Sequence, residues 1–138
     1  MTLIDSSVWG WRGRSRAVSA SIDDILRRRE AATCHPVMLE VLYGVRNVTD
    51  FRALRSGFDV QIVLPIASRE WSRALDVYEA LAAQGGAHQR SVQHPDLLAA
   101  AAAESAGAEV LHYDEDFDRI AAITGQPTRW VAPRGSLG

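Results

Sequence analysis

The sequence predicts an α/β fold in which a mostly parallel sheet of four or five strands is flanked by helices. Three observations predict it. Short apolar runs alternate along the chain with longer segments of helical periodicity. The runs are apolar throughout rather than alternating, as expected of strands covered on both faces. Proline and glycine fall at the joins, at Pro36, Pro95, Gly85-Gly86 and Gly107.

Residues 2–5 (TLID) read as a first strand with Asp5 at its carboxyl end. Between Ser15 and Arg29, Val18, Ile22, Ile25 and Leu26 recur at helical spacing, and Arg27, Arg28 and Arg29 put cations where the helix dipole favours them. Residues 31–34 form a second short strand. Pro36 then opens a helix that PVMLEVLYGVR carries to about Arg46, with Glu40 interrupting its apolar face. Residues 50–58 read as a further helix, and the β-branched run 60–64, closed by Pro65, as a strand. Ser68 begins the longest amphipathic segment, whose Trp71, Leu75, Tyr78 and Leu81 share one face and read as a core stripe, until Gly85-Gly86 stops it. GGAHQRSVQH reads as a loop. Pro95 opens a helix that Gly107 ends; residues 109–112 form a strand, DEDFDRIAAI a helix, and residues 128–131 a last strand.

Length and composition fit one domain spanning residues 1–138, since 47% hydrophobic residues in 138 suffice for a core. Cys34 is the only cysteine, so no intrachain disulfide can form. MTLID opens without a basic and then apolar segment, so neither a signal peptide nor a membrane span is expected, and the expected location is cytoplasmic. A net charge of −2 excludes a strongly basic nucleic-acid binder. All 15 basic residues are arginine, which removes Schiff-base, P-loop and receiver-type chemistries that need a lysine.

The candidate chemistry lies in the acids. In an open parallel sheet, ligands bind at the carboxyl ends of the strands. Asp5 ends the first strand, Asp96 sits just inside a helix, Asp114 and Asp116 stand where strand 109–112 gives way to a helix, and Glu40 comes from the helix after the second strand. Each alone has a cheaper explanation as a cap or a first-turn charge. Together they do not. Two carboxylates about 5 Å apart repel by roughly 3 kcal/mol at an effective dielectric of 20, more than a helix end returns. Such a cluster calls for a cation, and an all-oxygen set suits Mg²⁺ or Mn²⁺ in phosphodiester hydrolysis. Cys34, His35, His88, His94 and His112 lack zinc-ligand spacing. Glu115 and Asp118 read as solvent-facing first-turn charges, and Phe117 as a core residue.

LIDSSVW at the start, MLEVLYGVR in the middle, PDLLAAAAAESAGAEVLHYDEDFDRIA later and the final RWVAPRGS resemble the PIN-domain superfamily, and within it the VapC-type toxin ribonucleases of bacterial toxin–antitoxin pairs. The resemblance implies a three-layer sandwich, a Mg²⁺- or Mn²⁺-dependent endoribonuclease acting on RNA, a homodimer, and a cognate antitoxin that inserts a basic side chain among the acids. Carried over, Asp5, Glu40 and Asp96 match the three acids found throughout such enzymes, and Asp114 and Asp116 both match the fourth position. Asp5, Asp96 and Asp116 are then expected to hold the ion, Asp114 to support it, and Glu40 to orient or deprotonate the attacking water. Ser6 and Ser7 match the hydroxyl residues that follow the first aspartate. Ser7, Arg12, Arg14 and Arg46 are expected to meet the RNA.

Three other classes compete. A receiver-type signalling domain needs a phosphoacceptor aspartate at the end of the middle strand and a late lysine, but here that strand ends in Leu64-Pro65 and lysine is absent. A non-catalytic α/β binding module would keep the fold and use the acids only as caps. A haloacid-type phosphatase needs a second aspartate two positions after Asp5, where Ser7 stands.

Overall fold

The computed structural model describes residues 1–86 and 88–138. Its sheet is parallel throughout, with β1 (Thr2–Ile4), β2 (Ala31–Thr33), β3 (Ile62–Val63), β4 (Glu109–His112) and β5 (Thr128–Trp130) in the order β3-β2-β1-β4-β5. The helices are α1 (Ser6–Trp9), α2 (Arg16–Arg27), α3 (His35–Tyr43), α4 (Val48–Ser56), α5 (Ser68–Ala83), α6 (His88–Ser91), α7 (His94–Ala106) and α8 (Asp116–Thr124), with a 3-10 turn at Gly57–Val60.

The sheet register sorts the core into two layers. Leu3 lies opposite Val110 and Ala32, and Ile4 opposite Leu111. Successive strand residues face opposite sides, so Leu3, Ala32 and Val110 join the core containing Val77, Leu81 and Phe117, while Ile4 and Leu111 join that of Val8, Val18, Ile22 and Ile25. Helices therefore cover both faces, the expected three-layer arrangement. The alanine run gains a role here: Ala99 to Ala103 are all buried, so α7 is enclosed all round and the small side chains let α5, α8 and the sheet approach it. Gly107 closes α7 with φ of 67°, a left-handed conformation that glycine adopts without strain.

Strand order reverses at one place. The chain runs outward from β1 through β2 to β3, then returns to the other side of β1 for β4 and β5. Neighbouring strands β1 and β4 thus diverge into helices above and below the sheet, which opens the crevice where such folds bind ligands. Asp5 directly follows β1, and Asp114 and Asp116 follow β4.

Several expectations need correction. The strand at 60–64 shrinks to Ile62–Val63, and both residues are more than two-fifths exposed, because β3 is an edge strand that pairs only with β2. Two-sided coverage therefore does not extend to it. The helix after β2 ends at Tyr43, not Arg46, with Gly44 as its C-cap. The stretch read as a loop contains α6, while Ala87 within it lies outside the described residues.

The largest correction concerns α5. Its inward face is Glu70, Ala74, Val77 and Leu81, whereas Trp71 and Leu75 are 55% and 67% exposed. Pattern reading missed the true stripe because one member is an alanine facing the alanine-rich α7 and another is an acid. The Glu70 carboxylate accepts from the Ala67 N–H at 3.0 Å, from Arg69 at 3.0 Å and from the Ser105 hydroxyl at 3.2 Å. A carboxylate so satisfied can be buried.

Candidate active site

Asp5 is the N-cap of α1, and capping engages only half of it. Oδ2 accepts from the Ser7 N–H at 3.0 Å and from the Ser7 hydroxyl at 2.6 Å. Oδ1 is buried and, among the described residues, has no hydrogen-bond partner. A buried charged oxygen without a partner is costly. Ser7 fixes that orientation, because its hydroxyl also accepts from the Tyr113 N–H at 2.9 Å and so ties the end of β1 to the loop after β4. Substituting Ser7→Ala is expected to destabilise the fold by about 1–3 kcal/mol, since the part-buried Tyr113 N–H loses its acceptor and the buried Asp5 carboxylate a donor. Urea unfolding checks this.

Glu40 projects from α3 and accepts from the Ser6 hydroxyl at 3.3 Å. Asp96, on the first turn of α7, is 4% exposed. Asp114 receives the Asp116 N–H at 2.9 Å on Oδ1, and its own N–H donates to Nδ1 of His112 at 3.2 Å. Asp116, at the start of α8, accepts from the Arg119 guanidinium at 2.8 Å. Four separate chain segments thus deliver five acids to the crevice beside β1 and β4. Asp5, Glu40 and Asp96 offer oxygens within 4.8 Å of one another, and so do Asp96, Asp114 and Asp116.

Asp96 therefore belongs to two adjoining sets. Asp116 shares its carboxylate between this cluster and the Arg119 guanidinium. Protonation equilibria register the crowding. Burial, then the charges of Asp5, Asp114, Glu40 and Asp116, push the Asp96 carboxyl up to about 8. Burial raises Asp5 against the opposing hydrogen bonds from Ser7. Burial and Asp5 raise Glu40; burial and Asp114 raise Asp116, with Arg119 opposing. Every one of these shifts favours a bound cation, and the unpartnered Oδ1 of Asp5 supplies a ligand atom with nothing else to do. The donor set is all oxygen, which fits a hard divalent ion.

The expected RNA contacts are less concentrated. Arg12 pairs with Asp23 at 3.1 Å and lies over the Trp9 ring, yet still lines the groove beside Ser6, Ser7 and Glu40. Arg14 stacks on Trp11 at 4.2 Å, and Arg46 is exposed in the loop after α3. Two residues at the site escaped the sequence reading. Arg119 was legible as the i,i+3 partner of Asp116. His112 was not: it is fully buried between Phe117 and Trp130, and burial holds its imidazole neutral by lowering its pKa, which leaves Nδ1 free to accept from Asp114. Glu115 turns outward to Arg119 and Arg134, Asp118 accepts from the Trp130 indole, and Phe117 is fully buried.

A parallel α/β sheet with acids gathered at its switch point defines a class of metal-centred site, and relatives narrow it. The statistical description of the PIN domain matches residues 2–123. The chain is 41% identical over 134 residues to Ribonuclease VapC18 of Mycobacterium tuberculosis, covering 97% of each chain, and 38% identical over 135 residues to Ribonuclease VapC51 of the same organism, covering 98% of this chain and 96% of that one. This protein belongs to the PIN domain family, in the branch of the VapC ribonucleases. The same fold occurs in the DNA-bound VapBC structure from Salmonella typhimurium, with a TM-score of 0.74 at 17% identity over 95% of this chain and 98% of that one.

Proposed function

We infer that this chain is an endoribonuclease, the toxin of a toxin–antitoxin pair, and that it works as one domain in the cytoplasm with Mg²⁺ or Mn²⁺ at its carboxylates. The observation that carries the reading is the buried Asp5 Oδ1, unpartnered within a cluster of acids drawn from four chain segments. A non-catalytic module would use these acids as caps, but capping consumes only Oδ2 of Asp5 and leaves the crowding at Asp96 uncompensated. Relatives named as VapC ribonucleases, at 41% and 38% identity across the chain, supply the reaction class. An antitoxin partner is the corresponding reading of the VapBC assemblies that share the fold. A homodimer would bury apolar surface of α5 such as the exposed Leu75. No helix among the described residues is long and apolar enough to cross a membrane.

Asp5, Asp96, Asp114 and Asp116 would hold the cation, with Asp96 common to both sets of oxygens. When bound, it stabilises negative charge on the phosphoryl group and on the departing oxygen. Glu40 stands at the rim, partly exposed and held by Ser6. Its carboxylate takes the proton of the water whose oxygen bonds to phosphorus; the P–O bond to the leaving nucleotide breaks, and that oxygen leaves with the electron pair and takes a proton from solvent water at the open crevice. Ser7 keeps Asp5 turned toward the cluster. Arg12 and Arg46 draw RNA phosphates past an acidic floor.

Brief expression in cells followed by sequencing of RNA 5′ ends tests the reading. Discrete new ends are expected with the wild-type chain, absent with Asp5→Asn. An end profile shared by both, or no new ends at all, would refute it.

A further inference from the structure

RNA cleavage at the carboxylates requires the nucleotides on either side of the cut bond to leave the crevice along the surface, and two grooves offer routes. One, of about 710 Å³, is lined by His35, Leu39, Glu40, Tyr43, Trp71 and His94 among others. The second, of about 520 Å³, is lined by Ser6, Trp9, Arg12, Glu40, Tyr43 and Leu54 among others. Of all the lining residues only Glu40 and Tyr43 belong to both. They form the ridge at which the grooves meet.

Tyr43 ends α3 less than one helical turn beyond Glu40, and i,i+3 spacing keeps the two side chains on one face. Its side chain is 93% exposed, so the ring adds nothing to the core. A bare aromatic face beside a candidate catalytic acid is a surface waiting for a flat partner. The second groove adds a cation, with the Arg12 guanidinium 5.3 Å from the Trp9 ring centre. Rings that accept bases beside a cation that follows phosphates are what an unpaired nucleic-acid strand needs. An apolar peptide helix would instead have to bury the Glu40 carboxylate at that ridge, a charge of the kind such interfaces deplete at their core.

We propose that Tyr43 is the platform on which an unpaired nucleobase beside the cleaved phosphodiester stacks, seating single-stranded RNA across the ridge over Glu40. The proposal rests on the ribonuclease reading and deepens it: duplex RNA, whose bases are already stacked, is a poor substrate, and seating depends on a ring rather than on a hydroxyl.

The test is steady-state cleavage of an unpaired RNA oligonucleotide by wild type, Tyr43→Ala and Tyr43→Phe, with thermal melting of each. Stacking contributes about 1–3 kcal/mol per base, so Tyr43→Ala is expected to raise KM by roughly 5- to 150-fold while kcat changes little. Tyr43→Phe keeps KM within about twofold, and melting temperatures stay together because the ring is exposed. Unchanged KM in Tyr43→Ala, equal losses in the Ala and Phe variants, or a loss confined to kcat overturns the proposal and leaves the ribonuclease reading standing. Unchanged KM with release of a co-expressed antitoxin assigns the ring to a protein interface and also overturns it. A wild type that cleaves no RNA refutes the ribonuclease reading itself, and this proposal with it.

Discussion

Asp96→Asn is expected to lower RNA cleavage by more than about a hundredfold, beyond what loss of a ligand's outer partner costs in such sites. Asp96 is the one acid common to both oxygen sets, so its loss reduces each to two members. The same substitution leaves the fold intact. With its carboxyl pushed up to about 8, Asp96 in the metal-free protein is largely protonated at neutral pH, and the asparagine amide is close to it in size and charge. Circular dichroism should therefore report a native variant at pH 7, and above pH 8 the metal-free variant should melt higher than the wild type. Undiminished cleavage by a folded variant removes Asp96 from the site.

The second large effect is on stability against pH. Asp5, Glu40, Asp96 and Asp116 all have folded pKa values raised above their ordinary ones. Between the ordinary carboxylate range and about 8, these four acids hold more protons in the folded metal-free chain than in the unfolded one, so their contribution to stability falls as pH rises through that window, opposed below about 6.5 by His112, whose lowered pKa works the other way. The four acids contribute fully only below their unfolded values, and each unit of displacement is worth about 1.4 kcal/mol. A bound divalent cation reverses the sign by favouring the ionised acids, so the gain from adding Mn²⁺ should grow from pH 5 to pH 8. Thermal melts across that range, with the cation and with chelator, measure both slopes. A flat metal-free profile contradicts the crowding at Asp96.

Much of this site is legible in the sequence. Asp5, Asp96 and the Asp114–Asp116 pair carry their location in the local pattern, because each stands where an apolar strand or a proline-opened helix fixes the carboxyl edge of the sheet. What the pattern could not supply was how the acids divide. Arg119 lies one turn into α8 and pairs with Asp116, a consequence of helix phase and rotamer that spacing only hints at. The orphaned Oδ1 of Asp5 depends on Ser7 reaching Tyr113, a contact between residues 106 positions apart. The α5 face was misread for a different reason. Hydrophobic periodicity weighs Trp71 and Leu75 above Ala74, yet the facing alanines of α7 leave room only for a small residue, and Glu70 is buried because three donors meet it. Edge strand β3 likewise has an apolar sequence whose exposure follows from its place in the strand order.

The central claim is that the acids at the β1–β4 crevice form a cation site and not a set of helix caps. Calorimetric titration of the metal-free chain with Mn²⁺ at pH 7.5 tests it most directly, alongside Asp5→Asn and Asp96→Asn. Saturable binding by the wild type, lost or strongly weakened in both variants while their circular dichroism stays native, is the expected result. Absence of saturable binding in the wild type, or equal binding in all three chains, would contradict it.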